Sequence, residues 1–410
     1  MKICMITSMF FPTIGGIETH VYHLSKQLIK LGHKVVIIHT IMEKSKNGNA
    51  VKVENYDGLE VHRFYMLNDK TKTKSYNKYT NDSKLSFFMG FLKKARPNLY
   101  SKKIAEYILS LNKMEPIDII HQHDFIGNIS TTKRLSKQLP VIITNHTGEF
   151  LMLNNNKFLR LSLRILLSHY RHLIGPSKEL ININFLKKSE RVTYIPNGVS
   201  LDDFTVLDRV EKNRLRQELG YDEEEILILC ARRWAPTKGV KYFVEAIPAI
   251  LKKIGDRKIS FLISGNDYVH YPAYKQEIME FINENKISDS IRLLGDIPHN
   301  EIKKYYQISD IVVLPSLMEA TSLSGLEAMA CGKPLLGTNI GGIPEIIDQN
   351  SNGILVEPKD AGAIAEGIIK LVQDDHLESM GKSSRTKVEL EFSWGIITQR
   401  TLDIYKRCIE

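Results

Sequence analysis

Short apolar runs alternate with longer segments of helical periodicity along almost the whole chain of 410 residues. Residues 2–6 and 34–39 have the composition of buried strands. Between them apolar residues recur at helical spacing over residues 21–31, and Gly32 supplies a C-terminal stop. A β-α-β unit of this kind places its two strands parallel in one sheet. The alternation therefore predicts an α/β protein built on doubly wound parallel sheets.

The same pattern occupies both halves of the chain, with an interruption between them. Further strands are predicted at residues 117–121, 141–144, 172–175 and 192–195, and then at 226–231, 259–264, 290–294, 311–314, 334–337 and 354–356. A Pro-Asn-Gly turn at 196–198 and a polar segment at 200–225 separate the two sets. We therefore predict two Rossmann-like domains, at residues 1–198 and 199–390. Residues 391–410 are predicted to form a last amphipathic helix that packs back toward the first domain.

Open parallel sheets bind ligands at the carboxyl ends of their strands. Two such domains facing each other form a cleft, so a nucleotide-bearing ligand in that cleft is the expectation.

The formal net charge of +9 is divided unevenly. Residues 1–200 carry 30 Lys and Arg against 14 Asp and Glu, a charge of +16, whereas residues 201–410 carry 26 against 33, a charge of −7. This division indicates two domains with different partners, or simply two solvated surfaces of different charge. The basic half has no recognisable nucleic-acid-reading motif, so no nucleic-acid partner is expected.

The compartment is predicted from the cysteines and from the apolar runs. The four cysteines lie far apart without a CxxC motif, as in reduced cytosolic proteins. The N-terminal apolar run is too short for a signal peptide, and no run reaches the ~18 apolar residues of a spanning helix. The expectation is a cytoplasmic protein that is free to contact the inner face of a membrane peripherally.

Three segments have the composition of a site for a phosphorylated, hydroxyl-rich ligand. The first βα turn contains Gly15-Gly16-Ile17-Glu18, where a helix N-terminus can bind an anion, although a glycine pair also suits a plain tight turn. Arg233 and Lys238 follow a predicted strand of the second domain and can converge on a diphosphate. An exposed basic turn is the alternative.

The third segment, residues 315–332, joins a predicted strand to a predicted helix. The helix begins close to Ser322 or Ser324, both competent N-caps, and its N-terminus can bind phosphate. Glu319 lies in the loop and Glu327 lies within the first turns of the helix. Carboxylates accept hydrogen bonds from ribose and hexose hydroxyls. In the alternative, Glu319 caps a turn and Glu327 is solvated.

Over roughly residues 1–407 the chain resembles retaining glycosyltransferases of family 4, which have the GT-B fold of two facing Rossmann-like domains. The matching pieces occur in the family's order and spacing: Gly15-Gly16-Ile17-Glu18, Pro196-Asn197-Gly198-Val199, Arg233 with Lys238-Gly239, Asp310 with Leu314-Pro315-Ser316, Glu319 with Glu327-Ala328-Met329-Ala330, and Gly341-Gly342-Ile343-Pro344-Glu345.

The resemblance implies that residues 1–198 form the acceptor-side domain and residues 199–390 the nucleotide-sugar-binding domain. It also implies a role for each matching residue. Its implied catalytic residues are His123, Arg233, Lys238 and Glu319. The last three would also bind the donor, together with Gly16, Ser322, Leu323, Ser324 and Glu327. Arg233 and Lys238 would hold the diphosphate, Glu319 the sugar hydroxyls and Glu327 the ribose. His123 matches the histidine near the reacting sugar carbon, with a core histidine as the alternative. Glu18 and His146, the latter within Asn145-His146-Thr147, would contact the acceptor or the sugar.

One departure from the family pattern concerns the sugar site. The family commonly has Phe-Gly two and three residues after the first Glu, whereas this chain has Thr321-Ser322. The departure leaves the contact surface for the sugar and the choice of donor open.

The implied reaction is transfer of a hexose or N-acetylhexosamine from a nucleotide diphosphate sugar to a glycan, lipid-linked or small-molecule acceptor, with uridine as the expected donor base by family habit. The resemblance implies retention at the anomeric carbon, with the leaving phosphate as base, and neither a metal nor another cofactor. Cell-surface polysaccharide synthesis is the implied process. The alternatives are a nucleotide-sugar epimerase and a non-catalytic nucleotide-sugar-binding subunit.

Two basic apolar segments in the first half suit an anionic membrane surface or a lipid-linked acceptor. They are residues 84–96 and residues 157–172. For the second segment, a helix packed on the sheet with its Lys and Arg stems in water explains the pattern equally well.

Overall fold

The computed structural model describes residues 1–12, 15–44, 51–66, 99–124, 127–146, 159–183, 186, 190–265 and 270–410. The chain divides into two compact units. The first comprises Met1–Ile195 together with Ile397–Glu410, and the second comprises Pro196–Ile396. Each unit is built on one sheet with helices packed against it.

The sheet of the first unit has eight strands in the order β3-β4-β2-β1-β5-β6-β7-β8. Their bounds are β1 Lys2–Thr7, β2 Lys34–Lys44, β3 Val51–Tyr56, β4 Leu59–Met66, β5 Ile119–Gln122, β6 Val141–Thr144, β7 His172–Gly175 and β8 Val192–Tyr194. Every pairing is parallel except that of β3 with β4. The predicted parallel sheet is therefore confirmed, with one addition at its edge.

That addition is the β3–β4 hairpin, which the apolar pattern did not predict. Its turn is Asp57-Gly58, and both residues have positive φ, 50° and 79°. Two-residue turns of this kind match the twist of antiparallel strands. Strand β3 is half exposed along its length, so its sequence lacks the apolar run that marks the central strands.

The sheet of the second unit has six parallel strands in the order β11-β10-β9-β12-β13-β14. Their bounds are β9 Ile226–Ala231, β10 Ile259–Ser264, β11 Ile291–Gly295, β12 Ile311–Leu314, β13 Leu335–Thr338 and β14 Gly353–Val356. Numbered within the unit, this is the 3-2-1-4-5-6 order of a Rossmann fold. All six strands were predicted, within a residue or two at each end.

Helices cover both sheets. In the first unit they are Gly16–Lys30, Leu99–Met114, Ile129–Leu135, Leu159–Leu167 and Lys178–Ile181. In the second they are Arg209–Glu218, Val240–Ile254, Pro272–Glu284, His299–Ile308, Leu323–Ala330, Ile343–Ile346, Ala361–Val372 and Leu377–Glu391, with 3₁₀ turns at Pro236–Lys238 and Ser288–Ser290. The last helix is Trp394–Ile409, which belongs to the first unit from Ile397 onward.

The helix Val240–Ile254 shows why these segments fold locally. Phe243, Ile247 and Ile250 recur at helical spacing and are fully buried in the core against β9 and β10. The helix ends at Gly255, whose φ of 71° is a conformation that glycine adopts without strain. The core apolar stripe and the terminal glycine together fix both the packing and the length of the helix.

Asp310 anchors the first residue of β12. Its carboxylate accepts hydrogen bonds from the Leu227 N–H at 2.8 Å, Arg216 Nη2 at 2.8 Å and Lys212 Nζ at 2.7 Å. These bonds tie the start of β12 to the start of β9. Asp310 therefore has a structural role in holding together the two central strands of the second sheet.

Candidate active site

In each sheet one pair of neighbouring strands marks the point where the strand order reverses, and open α/β sheets bind ligands beyond the carboxyl ends of such strands. In the second unit this pair is β9 and β12. The segment after β9 carries Arg232, Arg233 and Lys238, and the loop after β12 carries Glu319. The topology therefore brings the predicted donor residues of the second unit to one end of one sheet.

Two glycines allow the loops at this end of the sheet to approach each other closely. Gly239 has a φ of 67°, and a Cβ there would lie 1.8 Å from the carbonyl oxygen of Pro315. Gly341 has a φ of 56°, and a Cβ there would lie 1.9 Å from the carbonyl oxygen of Glu319. No other residue fits either position. The glycines of the Lys-Gly and Gly-Gly-Ile-Pro-Glu motifs thus fix the loop that carries Glu319.

The Glu319 carboxylate lies between two cations. Lys238 Nζ donates to Glu319 Oε2 at 2.9 Å, and Arg232 Nη2 forms an ion pair with the same oxygen. The side chain of Glu319 is only 10% exposed, and that of Arg232 only 6%. Burial of paired charges at this depth is stable only with further hydrogen bonds.

Serine hydroxyls supply those further bonds to the Arg232 guanidinium. Nη2 donates to Ser316 Oγ at 2.6 Å, and Nη1 donates to Ser322 Oγ at 3.1 Å and to Ser324 Oγ at 2.5 Å. The three serines belong to the loop and to the helix start that follow β12. One arginine therefore links the end of β9 to the carboxylate and to the N-terminus of the helix Leu323–Ala330.

The pKa values show the balance of charge in this network. Burial by itself would raise the pKa of Glu319, but the charges of Arg232 and Lys238 outweigh it and lower that pKa to about 2. Burial and the neighbouring Arg232 lower the pKa of Lys238 to about 8, against the opposing effect of Glu319. At neutral pH all three groups are charged, and the network carries one net positive charge.

Arg232 was not among the predicted site residues, whereas its neighbour Arg233 was. Arg233 is exposed, and its charge reaches Lys238, whose pKa it lowers. The spacing to Lys238 favoured Arg233, and nothing in the sequence indicates which of two adjacent arginines turns inward. The signal that could have found Arg232 is the set of hydroxyls at residues 316, 322 and 324, which suit a buried guanidinium.

Thr321-Ser322, where the family commonly has Phe-Gly, takes part in this arrangement. Both residues are buried. Ser322 is the N-cap of the helix Leu323–Ala330, and its Oγ accepts a hydrogen bond from the Gly325 N–H at 3.2 Å. Leu323 is the first helical residue and Ser324 the second. The sequence allowed either Ser322 or Ser324 as the N-cap, and in the structure the N-cap is Ser322.

Glu327 is also buried, and both of its carboxylate oxygens have partners. Tyr306 Oη donates to Oε2 at 3.0 Å, and His299 Nε2 lies 3.0 Å from Oε1. The hydrogen bond to Glu327 raises the pKa of His299. Tyr306 and His299 were not predicted from the sequence, because they come from a different helix, His299–Ile308, with no motif of its own.

The strand order of the first unit reverses between β1 and β5. His20 lies in the helix that follows β1, His123 follows β5, and His146 follows β6, the next strand in the sheet. His123 Nδ1 lies 3.4 Å from His146 Nε2, and His20 offers a ring nitrogen within 4.8 Å of both. The structure thus brings the predicted His123 and His146 together and adds His20, which was not predicted.

Burial keeps the imidazoles of His123 and His146 neutral. It holds the pKa values of His123 and His146 well below their usual range, and neighbouring histidines lower them further. The ring of His121 is tilted against that of His123, with 3.9 Å between the ring centroids. Both nitrogens of His121 are occupied: Nδ1 lies 2.7 Å from Tyr405 Oη and Nε2 lies 2.7 Å from Thr144 Oγ1. His121 therefore supports the cluster and does not belong to its ligand-facing groups.

Gly16 and Glu18 lie at the start of the helix Gly16–Lys30. Glu18 is buried, and its carboxylate folds back toward Gly15, where a Cβ would lie 2.6 Å from Glu18 Oε2. Burial raises the pKa of Glu18, while hydrogen bonds from the N–H groups of Glu18 and Ile17 oppose the shift. The N–H groups of Ile17 and Glu18 in the first turn therefore bond to the helix's own carboxylate.

Two units, each with a Rossmann-like parallel sheet and polar side chains at the point where its strand order reverses (the switch point), have the architecture of the GT-B fold. Comparison with protein families agrees. Residues 14–203 match the model of Glycosyltransferase Family 4, and residues 211–387 match the model of Glycosyl transferases group 1. The chain belongs to glycosyltransferase family 4, as the sequence motifs indicated.

Similar proteins span nearly the full chain. An uncharacterized glycosyltransferase of Methanocaldococcus jannaschii is 26% identical over 100% of this chain and 99% of its own. A component of the Homo sapiens phosphatidylinositol N-acetylglucosaminyltransferase is 27% identical over 99% of this chain and 76% of its own. An Anabaena protein solved in complex with UDP is 16% identical, with a TM-score of 0.74 over 99% of this chain and 100% of its own, a likeness of fold.

Proposed function

We propose that the protein transfers a hexose or N-acetylhexosamine from a nucleotide diphosphate sugar, UDP-linked, to a glycan, lipid-linked or small-molecule acceptor, with retention at the anomeric carbon. The observation that carries the proposal is the network of the second unit, in which Lys238 and Arg232 flank Glu319 beside a helix N-terminus. A diphosphate needs convergent cations and N–H groups, and a sugar needs a carboxylate that accepts hydrogen bonds from its hydroxyls.

In the proposed step the bond between the sugar's anomeric carbon and the diphosphate oxygen breaks, and a bond from that carbon to the acceptor oxygen forms on the same face. The acceptor hydroxyl gives its proton to the leaving phosphate oxygen. Lys238, with Arg233 beside it, stabilises the charge that develops on the leaving group, which is the work a divalent metal does elsewhere. We propose no metal in this step, and roles for Glu18, His123 and His146 near the sugar or acceptor.

The relatives support the choice of substrates. The human relative is named as an N-acetylglucosaminyltransferase, and the Anabaena neighbour was solved with UDP. Glu327 fits the ribose, because its buried carboxylate is already positioned by Tyr306 and His299. Cell-surface glycan synthesis is the process in which we propose the transfer takes place.

A donor-panel assay tests the proposal. The protein is incubated with uridine, guanosine and adenosine diphosphate sugars, with and without acceptor lysate, and free nucleoside diphosphate is measured. We expect acceptor-dependent release, and losses of about 100-fold or more in Lys238→Ala and Glu319→Ala. The matched control, Lys252→Ala, removes an exposed lysine of the same unit and leaves the rate unchanged. Near-normal rates in both site variants would contradict the assignment.

The same assay separates the alternatives. An epimerase consumes the donor without releasing nucleoside diphosphate and without an acceptor. A non-catalytic binding subunit retains the donor intact under every condition. Only a transferase shows release that depends on the acceptor.

We also propose peripheral contact with an anionic membrane through the helix Leu159–Leu167. Leu161 and Ile165 are 66% and 53% exposed on it, and Arg164 is exposed beside them. Residues 84–96, the other predicted membrane segment, and residues 157–158 lie outside the described residues. Within the described part of the chain, no helix is long and apolar enough to span a bilayer.

Co-sedimentation with anionic liposomes at low and high salt tests this contact. We expect binding that salt weakens and that Leu161→Ser/Ile165→Ser abolishes. No binding to anionic vesicles would contradict it. All four cysteines are buried and free, and we propose a cytoplasmic location.

A further inference from the structure

Three histidines from three separate elements converge in the first unit. His20 comes from the helix after β1, His123 from the end of β5 and His146 from the loop after β6. One ring nitrogen of each lies within 4.8 Å of the others. His20 and His123 are buried and His146 is half-buried.

The separation between His123 Nδ1 and His146 Nε2 is that of two ligands on one metal ion. Zn–N bonds of about 2.0–2.1 Å at tetrahedral angles place two ligand nitrogens about 3.3 Å apart. The observed separation is 3.4 Å, longer than the usual 2.7–3.2 Å of an N–H hydrogen bond. The remaining separations between ring nitrogens of the three histidines do not exceed 4.8 Å.

The surroundings of His123 fix the nitrogen that it presents. Its Nε2 lies 3.2 Å from Met5 Sδ, a weak acceptor, so the ring proton resides on Nε2 and the Nδ1 lone pair faces the cluster. Metal-binding histidines are oriented in this way by a hydrogen bond from their second nitrogen.

We propose that His20, His123 and His146 form a binding site for zinc, with three protein ligands and a fourth position left to water or to a substrate oxygen. Imidazole donors select zinc and its transition-metal neighbours over magnesium and calcium, which prefer oxygen ligands. The site is distinct from the diphosphate-binding network, which lies in the other unit. Bound zinc occupies the nitrogens of His123 and His146, so it inhibits sugar transfer; this consequence alone rests on the proposed function.

Cobalt(II) titration of tag-free, chelator-treated protein tests the site, because cobalt replaces zinc in such sites and absorbs visible light strongly when tetrahedral. We expect one equivalent to give this absorption and one equivalent of zinc to remove it. His20→Ala and His146→Ala each weaken cobalt binding by more than about 100-fold, since a direct ligand contributes at least as much as an outer partner. His376→Ala, at an exposed histidine of the second unit, binds as the wild type does.

Met5→Leu keeps the core volume but removes the sulfur that orients His123, and we expect cobalt binding about 10-fold weaker in a folded protein. No visible absorption at one equivalent, or an unchanged titration in His20→Ala, His146→Ala and Met5→Leu together, would overturn the site. Zinc that binds without inhibiting an active transferase would overturn the inhibitory role. A cobalt site in a protein that transfers no sugar would refute the proposed function and leave the metal site standing.

Discussion

The two switch points of this molecule differ in how their polar groups are buried: those of the second unit are charged, and those of the first unit are neutral. In the second unit Arg232, Lys238 and Glu319 are all charged and neutralise one another in part. In the first unit His123 is buried and His146 half-buried, and burial together with neighbouring histidines holds the pKa values of both well below their usual range. The same position in two similar sheets thus carries a net positive charge in one unit and neutral imidazoles in the other.

The difference also shows how little net charge says about a site. The half of the chain with a charge of −7 contains the cationic network, and the half with +16 contains the neutral histidines. Net charge reports the solvated surface, whereas a site depends on a few buried groups. The basic first half still favours an anionic or membrane-borne acceptor, but its switch point does not share that charge.

The largest expected effect is on the charged network of the second unit. Arg232→Met leaves the buried Glu319 with Lys238 alone, so the second unit should lose about 3 kcal/mol of its free energy of unfolding. Both tryptophans, Trp234 and Trp394, belong to the second unit, so urea unfolding followed by tryptophan fluorescence reports on that unit.

Two further variants give the control for this loss. Arg233→Met, at the exposed neighbour, should change the free energy of unfolding by less than about 0.5 kcal/mol. Arg232→Met/Glu319→Gln removes both charges and should recover most of the loss. Equal losses in Arg232→Met and Arg233→Met would show that the inward arginine is not the one that holds Glu319.

Donor binding should depend on pH through Lys238. Because its pKa is about 8, it is mostly protonated at pH 7 and mostly neutral at pH 9, so the affinity for a nucleoside diphosphate should fall about tenfold over this interval. Calorimetric titration at each pH measures the change. Lys238→Arg keeps its charge and should give a flat profile; the same tenfold fall in that variant would place the titrating group elsewhere.

Changes at the neutral histidines of the first unit are expected to reduce stability by less. Tyr405→Phe removes the hydroxyl that lies 2.7 Å from His121 Nδ1, so the first unit should lose about 1 kcal/mol of stability. Thermal unfolding followed by circular dichroism measures it, with Tyr271→Phe at an exposed tyrosine as the control. A loss as large as that of Arg232→Met would mean that the histidines are not held neutral.

The smallest expected effect concerns His299, whose pKa is raised by Glu327. Because this pKa is raised, the His299–Glu327 pair contributes fully to the free energy of unfolding below about pH 6.5. The contribution is lost as the pH rises through the pKa of His299 in the folded protein. The His299 side chain is 45% exposed, so the contribution is about 0.2–1 kcal/mol. Urea unfolding of wild type and His299→Gln from pH 5 to 8 should converge at high pH, and parallel curves would contradict the pairing.

The sequence predicts the strands and helices that carry both sites, because these elements follow from the periodicity of apolar residues. Buried strands and helices repeat at fixed intervals, so Glu319, Lys238 and His123 could be placed close to strand ends. The β3–β4 hairpin could not, since its half-exposed strand has no apolar run.

The side-chain partners within the sites depend on contacts between distant residues. Arg232 and Arg233 are adjacent and chemically identical, and only the serines contributed by residues 316–324 distinguish them. Glu327 meets His299 and Tyr306 across two helices, and His20 joins His123 and His146 from a third element. The spacing of residues along the sequence does not predict these side-chain contacts.

The central claim is that the charged switch point of the second unit binds a nucleoside diphosphate. Isothermal titration of uridine, guanosine and adenosine diphosphates into the wild type, Lys238→Met and Lys252→Met tests it most directly. The account predicts binding of at least one nucleotide to the wild type and to Lys252→Met, and affinity at least about tenfold weaker in Lys238→Met. Equal affinities in all three proteins, or no binding of any nucleotide to the wild type, would contradict it.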